Sequence, residues 1–175
     1  MLASDLLPHD PQRRWQSDDA EDLRIANMLL AAGADPNVVD DEGVTPLILA
    51  ATSGADAPAP ADGAGVTRQG LMQALLEGGA AVDQVDSNGC TPLWIAAHKG
   101  YVGAVSTLIA AGAAVDQAGG PGATPLFVAA LLGHADICSA LLAAGADKTC
   151  CAQDGKTILS AARQGGNAEI VALLS

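Results

Sequence analysis

The sequence predicts an all-α solenoid of stacked helix-turn-helix units with hairpin-like fingers between them. Two sequence markers recur together every 33 residues over most of the chain, and periods of this length are typical of stacked repeats. The hydrophobic half of the composition is rich in alanine, with 37 Ala and only 2% aromatic residues. Small side chains favour close packing of short helices, whereas β-sandwiches depend on β-branched and aromatic residues.

The first marker is a Thr-Pro-Leu tripeptide that opens each unit. It occurs at Thr45-Pro46-Leu47, Thr91-Pro92-Leu93 and Thr124-Pro125-Leu126, and Thr157-Ile158-Leu159 follows in register. The second marker is a Leu pair followed by Gly-Ala, with its glycines at Gly33, Gly79, Gly112 and Gly145. Both markers advance by 46, 33 and 33 residues, so one register governs the chain and the first step carries 13 extra residues.

Each unit is expected to begin with a short helix. The Thr hydroxyl can cap the helix N-terminus, and Pro suits the first helical position because no N–H is needed there. Alanine pairs such as Ala96-Ala97 then allow a second helix to approach closely. Gly100 and Gly133 are predicted to end the first helix in their units.

A second helix is expected after the mid-unit glycine. Val102, Val105, Leu108 and Ile109 share one helical face, which predicts burial against neighbouring units. The Gly of the Gly-Ala pair supplies a left-handed cap. Asp- and Gly-containing stretches such as residues 86–89 predict a tight finger before the next unit. No unit can bury its apolar face alone, so the units must stack.

This combination of motifs resembles the ankyrin repeat over about residues 22–174. The resemblance implies a single domain over residues 1–175, with units at about 12–44, 45–90, 91–123, 124–156 and 157–175. The first unit is degenerate, because Gln12-Arg13-Arg14 stands in place of Thr-Pro-Leu and only its second helix, from Asp22 to Ala32, fits the pattern. The last unit is expected to be a polar cap.

Two departures from the ankyrin pattern carry further expectations. The His that usually follows Thr-Pro-Leu and bonds to the neighbouring unit is replaced by Ile48, Trp94, Phe127 and Ser160. Apolar packing is therefore expected to replace those hydrogen bonds in the first three cases. The extra residues form a Pro-, Gly- and Ala-rich insert over residues 55–67. It is expected to be either a tolerated insertion that points away from the binding face or a functional loop.

Charge and cysteine usage exclude several classes of partner. The net charge of −12 disfavours nucleic acid and anionic membrane surfaces, and no apolar run is long enough to cross a bilayer. No basic segment precedes the N-terminal apolar patch, so no secretory signal is expected. Cys90, Cys138, Cys150 and Cys151 lack metal-site spacing and are expected to be thiols in the cytoplasm or nucleus.

The sequence predicts no enzyme. No phosphate loop, nucleophile elbow or zinc-protease motif is present. His98 lacks an obvious nucleophile or orienting partner, and His134 occupies a position where ankyrin units commonly carry His, which predicts a structural role. The acidic run over residues 40–42 lacks the spacing of a calcium loop. No catalytic, cofactor-binding or metal-binding residue is therefore expected.

Recognition is expected on the concave face that finger tips and first helices form in ankyrin proteins. Carried over by register, the predicted partner-binding residues are Asp41, Glu42, Val44, Ser87, Asn88, Cys90, His98, Lys99, Pro121, Ala123, Leu131, Leu132, Gln153, Asp154 and Lys156. Leu131 and Leu132 replace residues that normally face solvent. Together with Pro121 and Ala123 they predict an exposed apolar patch, of the kind that marks contact sites. The alternative is that Leu131 and Leu132 are an incidental hydrophobic pair with no role in binding.

The sequence thus predicts a monomeric, non-catalytic module that binds a protein partner with basic and apolar surface. The resemblance also permits a different interpretation, in which the repeats are a regulatory or substrate-targeting segment of a larger enzyme or channel.

Overall fold

The computed structural model describes residues 19–52, 68–120, 122–150, 152 and 155–174. Within these ranges the chain is helical, which confirms the all-α prediction. The helices are α1 (Asp19–Ala31), α2 (Pro46–Thr52), α3 (Arg68–Glu77), α4 (Pro92–Lys99), α5 (Val102–Ala110), α6 (Pro125–Leu132), α7 (Ala135–Ala143), α8 (Ile158–Gln164) and α9 (Ala168–Leu174). The insert and the Thr-Pro-Leu equivalent of the first unit lie outside the described residues.

The helices form two parallel rows. The first helices α2, α4, α6 and α8 contact one another in order, and we call them the first-helix row. The second helices α1, α3, α5, α7 and α9 form the second-helix row in the same way. Pairs such as α4 with α5 join the rows. The rows are the stacked arrangement that the 33-residue register predicts.

Each first helix starts where the Thr marker predicts. The Thr Oγ1 atom accepts a hydrogen bond from the backbone N–H three residues further on, over 3.1–3.3 Å in all four units. Thr45, Thr91 and Thr124 are buried, so the hydroxyl replaces water that could not reach these N–H groups. Loss of such a cap costs about 1 kcal/mol.

Left-handed glycines end the helices. Gly100 and Gly133 both have a φ of +84° and close α4 and α6, as predicted. His134 of the next unit packs against the turn at Gly100, since a Cβ added to Gly100 would lie only 2.7 Å from Cε1 of His134. One unit later, Asn167 donates its side-chain N–H to the Gly133 carbonyl over 3.2 Å. The predicted structural role of His134 is thus observed as packing between units.

Alanine pairs occupy the centre of the stack. The fully or almost fully buried alanines of the first-helix row are Ala50, Ala51, Ala96, Ala97, Ala129, Ala130, Ala161 and Ala162. Larger buried side chains such as Leu93, Leu126 and Leu141 fill the spaces between them. Because the alanines occupy little volume, the helices of neighbouring units approach closely, which explains a core with so few aromatic residues.

A ladder of side chains ties each unit to the next on the second-helix side. Asn37 Oδ1 accepts a hydrogen bond from the N–H of Ala81 over 2.7 Å. Asp83 accepts from Ala114 over 3.0 Å, and Asp116 accepts from Asp147 over 3.0 Å. The acceptor is always an Asn or Asp, and the donor always follows the Gly-Ala turn of the next unit. These contacts set the spacing of the units.

Candidate functional site

The fingers and the first-helix row form one continuous face. Trp94 of α4 donates its indole N–H to the carbonyl of Ala123 in the following finger over 2.9 Å. Adjacent fingers also touch, because the N–H of Ser87 donates to the carbonyl of Glu42 over 2.9 Å. We call this surface the finger–helix face. It comprises the finger residues 41–44, 87–90, 120 and 122–123, residue 156, and the helix ends 98–99, 131–132 and 163–164.

The fingers are turns closed by one repeated hydrogen bond. The N–H groups of Asp40, Asp86, Gly119 and Ala152 donate to the carbonyl four residues further on, over 3.0–3.2 Å. Gly119 and Ala123 also form an isolated antiparallel β-bridge, and the described finger residues form no longer strand. The fingers therefore have the predicted hairpin-like closure without extended strands.

Aspartate side chains hold the first two fingers rigid. Asp40 Oδ1 accepts hydrogen bonds from the N–H groups of Glu42 and Val44 over 2.9 and 2.8 Å. Asp86 Oδ1 accepts from the equivalent groups of Asn88 and Cys90 over 2.9 and 2.8 Å. A single carboxylate thus fixes each turn, and the tip side chains project from a preset backbone.

The third finger is held by a tryptophan instead. Gly119 stands where the first two fingers have Asp, and a Cβ there would lie 3.0 Å from Cγ of Trp94. The Trp94 indole also stacks on His98, with ring centroids 5.3 Å apart and planes 15° apart. The expectation that apolar packing replaces the usual His bonds is wrong for Trp94, because its indole N–H donates a hydrogen bond to the carbonyl of Ala123, in the finger at the end of the same unit.

The structure exposes most of the predicted partner-binding residues. The exposed ones are Asp41, Glu42, Ser87, Asn88, His98, Lys99, Leu132 and Lys156. Val44 and Leu131 are half-buried. Cys90 and Ala123 are buried, because Trp94 and the following finger cover them, so their side chains are not surface contacts. Pro121, Gln153 and Asp154 lie outside the described residues.

The apolar patch is smaller than the sequence predicts. Leu132 is 46% exposed, but Leu131 packs against the core and Ala123 is only 5% exposed. The next unit covers this end of α6, since a Cβ on Gly165 would lie 2.6 Å from the carbonyl oxygen of Leu131. Among the described residues of the predicted patch, Leu132 is therefore the main exposed contact.

The charge of the face changes along the stack. The first finger presents the exposed carboxylates Asp41 and Glu42. Lys99, Lys156 and Arg163 are exposed in the later units. The face therefore runs from acidic in the first described unit to basic in the last.

Comparison with known families identifies the repeat. A family model described as ankyrin repeats, in three copies, matches residues 64–150, about half of the chain. The chain belongs to the ankyrin-repeat family. The described helices before the matched segment, α1 and α2, and those after it, α8 and α9, continue the same two rows. No curated protein matches this ankyrin-repeat chain.

Family membership defines the general function. Ankyrin repeats generally mediate protein–protein interactions, and the family is typically non-catalytic. Over the described ranges, no helix is long and apolar enough to cross a membrane. In the same ranges, no three His, Cys, Asp or Glu side chains come together as a group that could hold a metal ion.

The buried thiols are poor nucleophiles. Burial raises the pKa of Cys90, and the nearby charge of Asp86 raises it further, although a hydrogen bond from the Gly120 backbone acts in the opposite direction. Burial raises the pKa of Cys138 to about 12. Both groups therefore stay protonated near neutral pH, whereas a reactive cysteine needs an accessible thiolate.

The Cys138 thiol makes stability depend on pH in alkaline solution. The unfolded chain releases this proton above about pH 9, whereas the folded chain retains it to about pH 12. Because the unfolded state then binds fewer protons, stability falls as pH rises through this window, by up to about 1.4 kcal/mol per pH unit. Urea unfolding at several pH values measures the slope. In Cys138→Ala the slope should be shallower, and an unchanged slope would contradict the assignment.

Sequence reasoning missed the residues that shape the fingers. From the sequence alone, Asp40 and Asp86 predict only a turn, and Trp94 predicts only apolar packing in place of the usual His. The sequence carries a signal for this, because the Asp at the finger base changes to Gly119 in the finger that ends the unit containing Trp94. Only the three-dimensional stack shows that the indole occupies the space of the missing side chain.

Proposed function

We propose that the chain is a single-domain, non-catalytic module that binds a protein partner on its finger–helix face. The observation that carries this proposal is the rigidity of the face. Its fingers are fixed by Asp40, Asp86 and Trp94, while neighbouring tip and helix-end side chains point into solvent. A preset surface loses little conformational entropy on binding.

The chemistry of the face indicates its partner. The partner carries a basic segment that meets Asp41 and Glu42, and an apolar group that meets Leu132. Acidic groups on it would suit Lys99, Lys156 and Arg163. Free, buried Cys90 and Cys138 agree with a reducing cytoplasm or nucleus. A monomer is proposed as the binding form.

Site-specific crosslinking tests where the partner binds. A photoreactive phenylalanine analogue placed at Leu132, on the finger–helix face, is expected to crosslink a defined protein in cells. The same analogue at Ser106, an exposed residue of α5 in the second-helix row, is the matched control. Equal crosslinking from both positions would contradict the proposed face.

Point variants test the face quantitatively once that protein is identified. Leu132→Asp is expected to weaken binding at least tenfold, about 1.4 kcal/mol, because it places a charge in an apolar contact. Lys99→Glu should weaken binding and reduce its salt dependence. Ser106→Asp should leave the affinity measured by calorimetry unchanged. Wild-type affinity in both face variants would exclude this surface.

A further inference from the structure

The first end of the described stack carries an open apolar groove. It lies between α1 and α2, has a volume of about 490 Å³, and is lined largely by aliphatic side chains. Three of them are strongly exposed for leucine or isoleucine: Leu49 at 59%, Leu29 at 55% and Ile25 at 49%. Apolar surface of this kind marks an interaction site in a folded chain.

The repeat register shows that these positions are normally covered. Leu29 is equivalent to Leu75, Leu108 and Leu141, all of which are buried. In those units the first helix of the same unit packs beside the second helix.

The position of Leu49 leads to the same conclusion. It is equivalent to Ile95, which is half-buried, and to Val128 and Ala161, which are buried where α4 packs on α6 and α6 packs on α8. Within the described residues no first helix lies beside α1 or before α2. The groove is therefore the space that a first helix fills in the other units.

The surroundings of the groove are acidic. Residues 19–52 contain seven acidic residues and one basic residue, and Asp35 itself lines the groove. An apolar groove with an acidic border suits a segment that combines aliphatic or aromatic side chains with arginine or lysine.

We propose that residues 1–18 of the same chain occupy this groove. These residues lie outside the described ranges, and they are joined directly to the first residue of α1. They contain the large apolar side chains Leu2, Leu6, Leu7 and Trp15. They contain three acidic residues, Asp5, Asp10 and Asp18, but the adjacent pair Arg13 and Arg14 directly precedes Trp15 and matches the acidic border there.

The lengths permit this contact. Along α1, Ile25 lies about 9 Å from Asp19, since a helix rises about 1.5 Å per residue. Trp15 precedes Asp19 by four residues, which can span up to about 14 Å. Trp15 is therefore close enough in the chain to contact the near end of the groove, and Leu2, Leu6 and Leu7 have the length of chain needed to contact the part formed by Leu29 and Leu49. The segment acts as an intramolecular ligand for the open end of the stack.

Trp15 fluorescence tests the proposal in the full chain. Its emission is obtained as the difference between the wild type and Trp15→Phe, which leaves Trp94 in place. We expect emission at shorter wavelength than that of a hydrated indole, and quenching by acrylamide that is severalfold weaker. Leu29→Asp in the groove should return both quantities to the hydrated values. Met28→Asp is the matched control, because Met28 is the adjacent residue, is 71% exposed and does not line the groove.

A second variant separates loss of the contact from loss of the fold. Leu6→Asp with Leu7→Asp changes only the segment, so circular dichroism should keep its helical signal while Trp15 becomes quenchable. Hydrated Trp15 in the wild type would overturn the proposal. Protection that disappears on dilution would also overturn it, because the groove would then bind a second copy. Protection that persists in both Leu29→Asp and Leu6→Asp with Leu7→Asp would place Trp15 elsewhere.

Discussion

Replacing Leu126 with alanine is expected to lower the free energy of unfolding by about 3 kcal/mol. Leu126 is fully buried in α6, which packs against α4 on one side and α8 on the other. The substitution removes the hydrophobic stabilisation of the deleted carbon atoms. It also leaves a cavity, because the neighbouring helices cannot move far enough to fill it. In a linear stack, one such cavity weakens the contacts of a unit with both of its neighbours.

Leu132→Ala provides the matched control for this change. It makes the same substitution in the same helix, at a residue that is 46% exposed, so the loss should be below about 1 kcal/mol. Urea denaturation followed by circular dichroism measures both variants. Similar losses for Leu126→Ala and Leu132→Ala would contradict the burial that the structure gives to α6.

The second large effect is expected at the base of the third finger. Gly119→Asp should cost about 1–3 kcal/mol, the usual cost of overpacking. Gly119 does not have a positive φ, so backbone conformation does not forbid a side chain there. The cost comes from space, because the new Cβ would lie 3.0 Å from Cγ of Trp94 and 3.2 Å from Cα of Cys90.

A double-mutant cycle isolates this cause. Trp94→Ala removes the obstructing ring and also the hydrogen bond to Ala123, so it destabilises by itself. In that background Gly119→Asp should cost less, since only the contact with Cα of Cys90 remains and the equivalent Asp40 and Asp86 form good turns in the first two fingers. Additive losses in the double variant would show that Trp94 is not the obstacle.

Local sequence signals predicted the repeat architecture well. A capping Thr, an N1 Pro and a left-handed Gly act within a few residues of one another, so their spacing alone located the helix starts and ends. The predicted second helix of the first unit, from Asp22 to Ala32, is observed as Asp19–Ala31. The helix after the insert begins at Arg68, directly after residue 67, the predicted end of the insert.

Contacts between units were harder to predict. Cys90 is covered by Gly119 and Gly120 of the following finger, and Ala123 is held by the hydrogen bond from Trp94 of α4, so both depend on residues distant in sequence. The partial burial of Leu131 depends on Gly165 of the next unit. The repeat register predicts which residues lie on the finger–helix face. How far each side chain is buried depends on the adjacent unit or finger that packs against it.

The hydrogen bonds of Asn37, Asp83 and Asp116 show that the distance between neighbouring units does not depend on how many residues connect them. Asn37 and its donor are 44 residues apart, whereas the other two pairs are 31 residues apart, yet all three bonds measure 2.7–3.0 Å. Residues can therefore be added within the first step without altering the rise from one unit to the next. We therefore expect that a reporter or a grafted peptide placed within residues 55–67 would leave the distance between neighbouring units unchanged.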